Sequence, residues 1–129
     1  MIKTRGVFSS FSVDNLAKAK NFYSKTIGLK IESIKGMGLK LHLNGGGTVY
    51  LYERKNHKPA TFTVLNLEVN NIDDAVKKLK QAGVKMERYK GMSQDKDGIM
   101  RGISKKMGPD IAWFEDPAGN IVSVLKSPS

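Results

Sequence analysis

The chain repeats itself, and this repeat limits its fold more than any other feature. Phe11-Ser-Val-Asp-Asn-Leu16-Ala-Lys-Ala19 lies over Leu67-Glu-Val-Asn-Asn-Ile72-Asp-Asp-Ala75 at an offset of 56 (69 − 13). Gly28-Leu-Lys-Ile31 lies over Gly83-Val-Lys-Met86 at an offset of 55 (83 − 28). Further on, Gly47-Thr-Val-Tyr-Leu51 lies over Gly119-Asn-Ile-Val-Ser123 at 72 (119 − 47), so the second copy carries 17 more residues (72 − 55). The extra residues fall within Glu87 to Pro109, where glycines and charges are frequent and apolar residues few; the composition predicts a mobile excursion, with a lid over a ligand as the alternative. A chain that repeats in this way must build both copies on one supersecondary unit.

That unit is legible in each copy. Val7 to Val13 alternates as a strand, with Ser9, Phe11 and Val13 on one side and Phe8, Ser10 and Ser12 on the other. Asp14 or Asn15 then caps a helix carrying Leu16, Ala19, Phe22, Tyr23 and Ile27, with Gly28 as its stop. Leu29 to Ile34, Leu39 to Leu43 and Thr48 to Glu53 read as strands. Asn44-Gly-Gly-Gly47 lies between the last two and is followed by a strand, so it is a hairpin turn and not a phosphate-binding loop, which needs a helix N-terminus after it. The second copy starts with an extended Ala60 to Val69, then an Asn70-Asn71 cap and a helix with Ile72, Ala75, Val76, Leu79 and Ala82, stopped at Gly83. It closes with two strands around Asp116-Pro-Ala-Gly-Asn120, a sequence rich in turn formers. The expectation is an α+β chain of two βαβββ modules, about 1–58 and 60–129, forming a curved, trough-like mixed sheet with the helices on its outer face. The two modules make one domain, and the inner face is the place for a ligand.

Composition excludes several classes of function. There is no cysteine, hence no disulfide, thiol nucleophile or thiolate metal site. No apolar run is long enough for a membrane span and the N-terminus lacks a secretory pattern, so a cytoplasmic protein without membrane partners is expected. Twenty-two Lys plus Arg against twelve Asp plus Glu give a net charge of +10, which attracts anions of any kind. The lysines are nevertheless spread over helix faces and loops, and no nucleic-acid motif accompanies them, so nucleic acid is not the expected partner. No Ser/His/Asp arrangement can be assembled from the order of the residues.

The paired modules, the stretch Asn21-Phe-Tyr-Ser-Lys-Thr-Ile-Gly-Leu29 and the turn Phe114-Glu-Asp-Pro-Ala-Gly-Asn120 together resemble the vicinal oxygen chelate superfamily, which includes glyoxalase I, extradiol dioxygenases, fosfomycin resistance enzymes and bleomycin resistance proteins. The resemblance covers nearly the whole chain. It implies metal ligands at set strand positions, which correspond here to Phe8, Leu51, Val64 and Ser123. None of the four is a His or a carboxylate, and a shift of one residue in the alignment brings in none either. No metal or other cofactor is therefore expected. The resemblance also implies a homodimer.

With these four facing the trough, alternation adds Ser10, Ser12, Val49, Glu53, Asn66, Glu68, Ile121 and Leu125 to the same side. His42 lies opposite Leu39, Leu41 and Leu43, which suit the helix-facing core, and so joins the candidates. Trp113 either stacks on a flat ligand or fills the core. The ligand-binding set is thus Phe8, Ser10, His42, Leu51, Glu53, Val64, Asn66, Glu68, Trp113 and Ser123, with no catalytic residue identified. The function expected is metal-independent binding of a small molecule, neutral or anionic in view of the net charge. The alternative is a glyoxalase-type lyase or isomerase, or a dioxygenase-like enzyme, drawing on Glu53, Glu68 or His42.

Overall fold

The computed structural model describes all 129 residues, which divide into two compact units, Met1–Pro59 and Ala60–Ser129. In the first unit, β1 (Ser9–Val13) leads into α1 (Leu16–Asn21), and three strands follow: β2 (Lys30–Ile34), β3 (Gly38–His42) and β4 (Thr48–Glu53). They form a sheet of order β1-β4-β3-β2, with β1 parallel to β4 and the other pairs antiparallel. Asn15 opens α1, its side-chain oxygen accepting the Lys18 N–H at 2.9 Å. The helix does not run regularly to Ile27, for it widens into a π-helical turn over Phe22–Thr26. In that turn Tyr23 is wholly buried, edge-on to Phe11 and Phe22 at 6.4 and 5.2 Å between ring centroids. Gly28 ends the helical segment with φ at +86°, as the sequence predicts.

The register fixes which face each side chain occupies. Phe11 and Leu39 both stand opposite Leu51, and Leu41 opposite Val49; all five are buried with Ala19 of α1. This is the helix-covered core of the unit. Gly38 lies against it at φ +131°, where a Cβ would come within 2.1 Å of the Leu51 carbonyl oxygen, so no other residue fits that close approach.

The second unit repeats the plan with one addition. It contains β5 (Thr63–Glu68), α2 (Ile72–Gln81), β6 (Met86–Glu87), a short β7 (Met100–Arg101), β8 (Asp110–Glu115) and β9 (Ile121–Lys126). The sheet order is β5-β9-β8-β6, with β7 also paired to β8. Asn71 caps α2 through the Asp74 N–H at 3.0 Å, and Asp73 and Asp74 lie in the first turn, where the helix dipole favours carboxylates. Its buried Ile72, Val76 and Leu79 meet the apolar face built by Leu65, Ala112, Phe114, Val122 and Val124. The turn between β8 and β9 is organised by the buried Asp116. One carboxylate oxygen accepts the Ala118 and Asn120 N–H groups, both at 2.9 Å, and the other accepts the Asn120 amide at 3.0 Å. No helix is long and apolar enough to cross a membrane.

The segment between β6 and β8 is not the loose excursion that its composition predicts. The Gln94 amide donates to the carbonyls of Glu87 and Gly98 at 2.9 and 2.8 Å, and its oxygen accepts the Tyr89 N–H at 2.9 Å. Asp95 accepts the N–H groups of Asp97 and Ile99 and the Arg101 Nε at 2.9, 3.0 and 3.1 Å. Arg101 then grips Asp73 of α2 with both terminal nitrogens, at 2.6 and 3.1 Å. Polar residues that read as solvated loop are here spent on satisfying backbone and on joining strand to helix. Ile99 is the apolar anchor of the segment, 1% exposed.

Candidate functional site

Each sheet has a face turned away from its helix, and in the first unit that face combines aromatic and basic groups. Ser10 stands opposite Tyr50 in the register, Tyr50 opposite Lys40, and Lys30 opposite His42. Phe8 precedes β1, is 61% exposed and rests its ring 5.0 Å from that of Tyr50, with the Lys40 ammonium 6.0 Å from the same ring. His42 Nε2 is 3.2 Å from Glu32. Ser12 Oγ and His57 Nδ1, within the same unit, are hydrogen-bonded at 2.6 Å. Phe8, Ser10 and His42 of the expected set therefore share one face.

Leu51 and Glu53 do not belong to it, which corrects the sequence reading by one residue along β4. Leu51 is wholly buried in the helix-covered core opposite Phe11 and Leu39. Glu53, two residues on and on the same side, accepts the Leu16 N–H at 3.0 Å and so serves the start of α1. Val49 faces the same core. The side chains that do occupy the open face of β4 are Thr48, Tyr50 and Tyr52. Alternation within β3 and β4 leaves the phase between the two strands open, and the cross-strand register puts Leu39, Leu41 and Leu51 on one face.

The second unit carries the more developed site. Asn66 stands opposite Ser123, Ser123 opposite Trp113, and Trp113 opposite Glu87, a row running across four strands on the face away from α2. Ser123 is fully buried and donates its hydroxyl proton to Asn66 Oδ1 at 2.5 Å, while Asn66 itself is exposed. Trp113 is only 7% exposed, and Tyr89 packs edge-on against it at 5.6 Å. Glu68 occupies the same face, two residues beyond Asn66 and opposite Leu125. Val64 has no partner in the register, because β5 bulges between Thr63 and Leu65; alternation cannot be carried through a bulge, so its expected facing does not follow.

Sequence reasoning missed Tyr89, Glu87 and Glu115. Glu87 and Tyr89 lie in the stretch that reads as loop, and only the pairing of β6 with β8 brings them beside Trp113; Glu115 lies on β8 itself, two residues from Trp113 and so on the same face by alternation. Burial pushes the Tyr89 phenol up from its usual pKa, and the charges of Glu87 and Glu115 add to the rise. Its oxygen is shut off from solvent without a hydrogen-bond partner.

The donor set does not suit the metal that the resemblance implies. Phe8 and Val64 have no lone pair, Tyr50 takes the place assigned to Leu51, and the Ser123 hydroxyl is committed to Asn66. Nowhere do three His, Asp or Glu side chains converge closely enough to share an ion. The arrangement is suited to holding a flat, partly polar molecule by stacking and hydrogen bonding.

Solved structures with the same architecture are numerous. TnmS3, an antibiotic binding protein from Streptomyces sp. CB03234, superposes with a TM-score of 0.67 at 21% identity, covering 98% of this chain and 99% of that one. A glyoxalase family protein from Bacillus anthracis gives 0.69 at 15% identity, covering 98% of each chain. An integron cassette protein from the mobile metagenome of the Halifax Harbour sewage outfall gives 0.68 at 23%, covering 95% of this chain and 99% of its own. No curated protein matches by sequence. The sequence profile that matches, over residues 8–124, is that of the glyoxalase/bleomycin resistance protein/dioxygenase superfamily, and the chain belongs to that superfamily.

Proposed function

We propose that the protein binds a small molecule without a metal, and that the face of the second sheet around Trp113 receives it. The observation that carries this reading is the pairing of a nearly buried indole with Tyr89, in one row with the hydrogen-bonded Ser123 and Asn66. Such a surface offers aromatic and orienting polar groups, and no nucleophile–base pair is assembled on it. Of the acid/base candidates for an enzyme, Glu53 is engaged at the start of α1 and His42 with Glu32, while Glu68 stands on the Trp113 face opposite Leu125. A structural neighbour named as an antibiotic binding protein supports a role in ligand capture. A homodimer, which the family resemblance implies, and a cytoplasmic location, in keeping with the absence of cysteine, complete the proposal.

Trp113 is the chain's one tryptophan, so its emission reports directly on this face. A fluorescence screen over aromatic metabolites and antibiotics should yield saturable changes, and the same ligands should raise Tm. Added Zn²⁺, Ni²⁺, Mn²⁺ or Fe²⁺ should leave Tm unchanged; a saturable rise of several degrees with any of them would sink the metal-free reading.

A further inference from the structure

The net charge is not shared between the two units. Residues 1–59 hold eleven Lys and Arg against Asp14, Glu32 and Glu53, a balance of +8 (11 − 3), whereas residues 60–129 hold eleven against nine, a balance of +2 (11 − 9). The pairing differs as well. In the second unit Lys78, Lys80 and Arg101 are held by aspartates, but no Lys or Arg of the first unit is ion-paired. Two of the first unit's three carboxylates are engaged elsewhere, Glu32 with His42 and Glu53 with the Leu16 N–H. Eleven cations without a counter-charge in 59 residues make a field that draws an anionic partner.

The open face of the first sheet adds aromatic rings to that field. Tyr50 stands beside Lys40 and Tyr52 beside Ser12, so both tyrosines lie on the side of β4 away from the buried Val49 and Leu51. Phe8 is 61% exposed and Tyr52 39%, and between them the Tyr50 ring has Phe8 at 5.0 Å and the Lys40 ammonium at 6.0 Å. Lys30, opposite His42, is exposed on the edge strand β2, and Lys3 and Arg5 lie on the exposed segment that runs into Phe8. Rings open to water with ammonium groups among them supply two things at once, surfaces for flat bases and partners for phosphates.

We infer that the open face of the first sheet binds single-stranded nucleic acid, with unpaired bases stacked on Phe8 and Tyr52 and phosphates against Lys40 and Lys30. A duplex suits this face poorly, because its base faces are closed within the stack and the unit offers a sheet, not a helix, to the major groove. A polyanion without bases would use the ammonium groups and leave the rings idle. The inference concerns the other unit and is independent of the small-molecule reading of the Trp113 face. It reverses the expectation drawn from the spread of the lysines. The cations are indeed spread along the chain, but nine of the twelve carboxylates fall in the second unit, and so the first is left basic.

The test follows the anisotropy of a fluorescein-labelled oligothymidylate of about 20 nucleotides as the full chain is added. Binding should saturate, weaken as salt rises from about 50 to 200 mM, and be about tenfold or more tighter than that of a duplex of equal length. Phe8→Ala and Tyr52→Ala should each weaken it by about tenfold, while Phe8→Trp, which keeps a ring, should retain it. Lys40→Gln should weaken it and lower the slope of log affinity against log salt by about 0.7, the value for one phosphate contact on a single strand. Lys77→Gln, the same change of charge on the exposed side of α2, should stay within about twofold of the parent, and far-UV circular dichroism checks that every variant folds. No saturable binding at physiological ionic strength would overturn the inference. So would equal affinity for the duplex, equal competition by linear polyphosphate at matched charge, or Phe8→Ala and Tyr52→Ala variants indistinguishable from the parent, each of which would reduce the face to a plain basic surface.

Discussion

At the scale of single residues, Tyr89 carries the most unusual burden. A buried hydroxyl without a partner costs the folded state about 1–3 kcal/mol relative to one that is solvated or bonded. Folding accepts this because the ring packs on Trp113 and the adjacent backbone is held by Gln94. Tyr89→Phe should therefore stabilise the ligand-free protein by about 1 kcal/mol, read as a higher urea midpoint at unchanged m-value. A lower midpoint would mean that the hydroxyl is satisfied in solution. Ser123 is the contrasting case: its hydroxyl is equally buried, but Asn66 accepts its proton, and the pair leaves Asn66 exposed on the open face of the sheet.

At the scale of elements, the segment between β6 and β8 owes its order to Arg101. The guanidinium holds the Asp73 carboxyl below its usual pKa, more than offsetting the effect of burial. Burial alone would raise Asp95; the Ile99 and Asp97 N–H groups and Arg101 outweigh it and lower that carboxyl too. Arg101 in turn is raised, chiefly by its hydrogen bond to Asp73. Both carboxyls thus titrate below their ordinary value of 3.8, so the clamp's contribution is complete above that value and is lost as pH falls through the lower, folded pKa values. Amide protection factors in residues 88–109, which divide out the intrinsic pH dependence of exchange, should fall relative to those of α2 as pH drops from 6 to 3. Asp73→Asn should reproduce part of that loosening at pH 6. Unchanged protection in Asp73→Asn would show that the segment is held by Gln94 and Ile99 alone.

At the scale of the whole molecule, the two modules are built alike and used differently. The open face of the first sheet gathers Tyr50, Lys40, His42 and Phe8, and that of the second gathers Trp113, Tyr89 and three glutamates. We propose that the modules nevertheless form one domain, as expected for a chain of this length. Urea unfolding followed by Trp113 emission, which sees only the second module, and by far-UV circular dichroism, which sees both, should then give coincident transitions. Separate midpoints would make the modules independent folding units.

By itself the sequence determined the architecture. The repeat, the two Asn caps, the glycine stops at Gly28 and Gly83 and the Asp116 turn are local signals, each acting through backbone geometry or hydrogen bonds within a few residues, and so each survives in the linear order. Within each sheet, alternation and register agree that Ser10 and His42 share one face of the first, and Asn66, Glu68 and Ser123 one face of the second. The tertiary structure alone decided what cross-strand pairing controls: that Leu51 and Glu53 belong to the helix side, that Val64 sits at a bulge, and that Glu87 and Tyr89 come beside Trp113. The physical reason is that a strand's period of two gives its alternation but not its phase relative to a partner. Only the partner's register supplies the phase, and here it brings part of a loop-like stretch against the strand that carries Trp113.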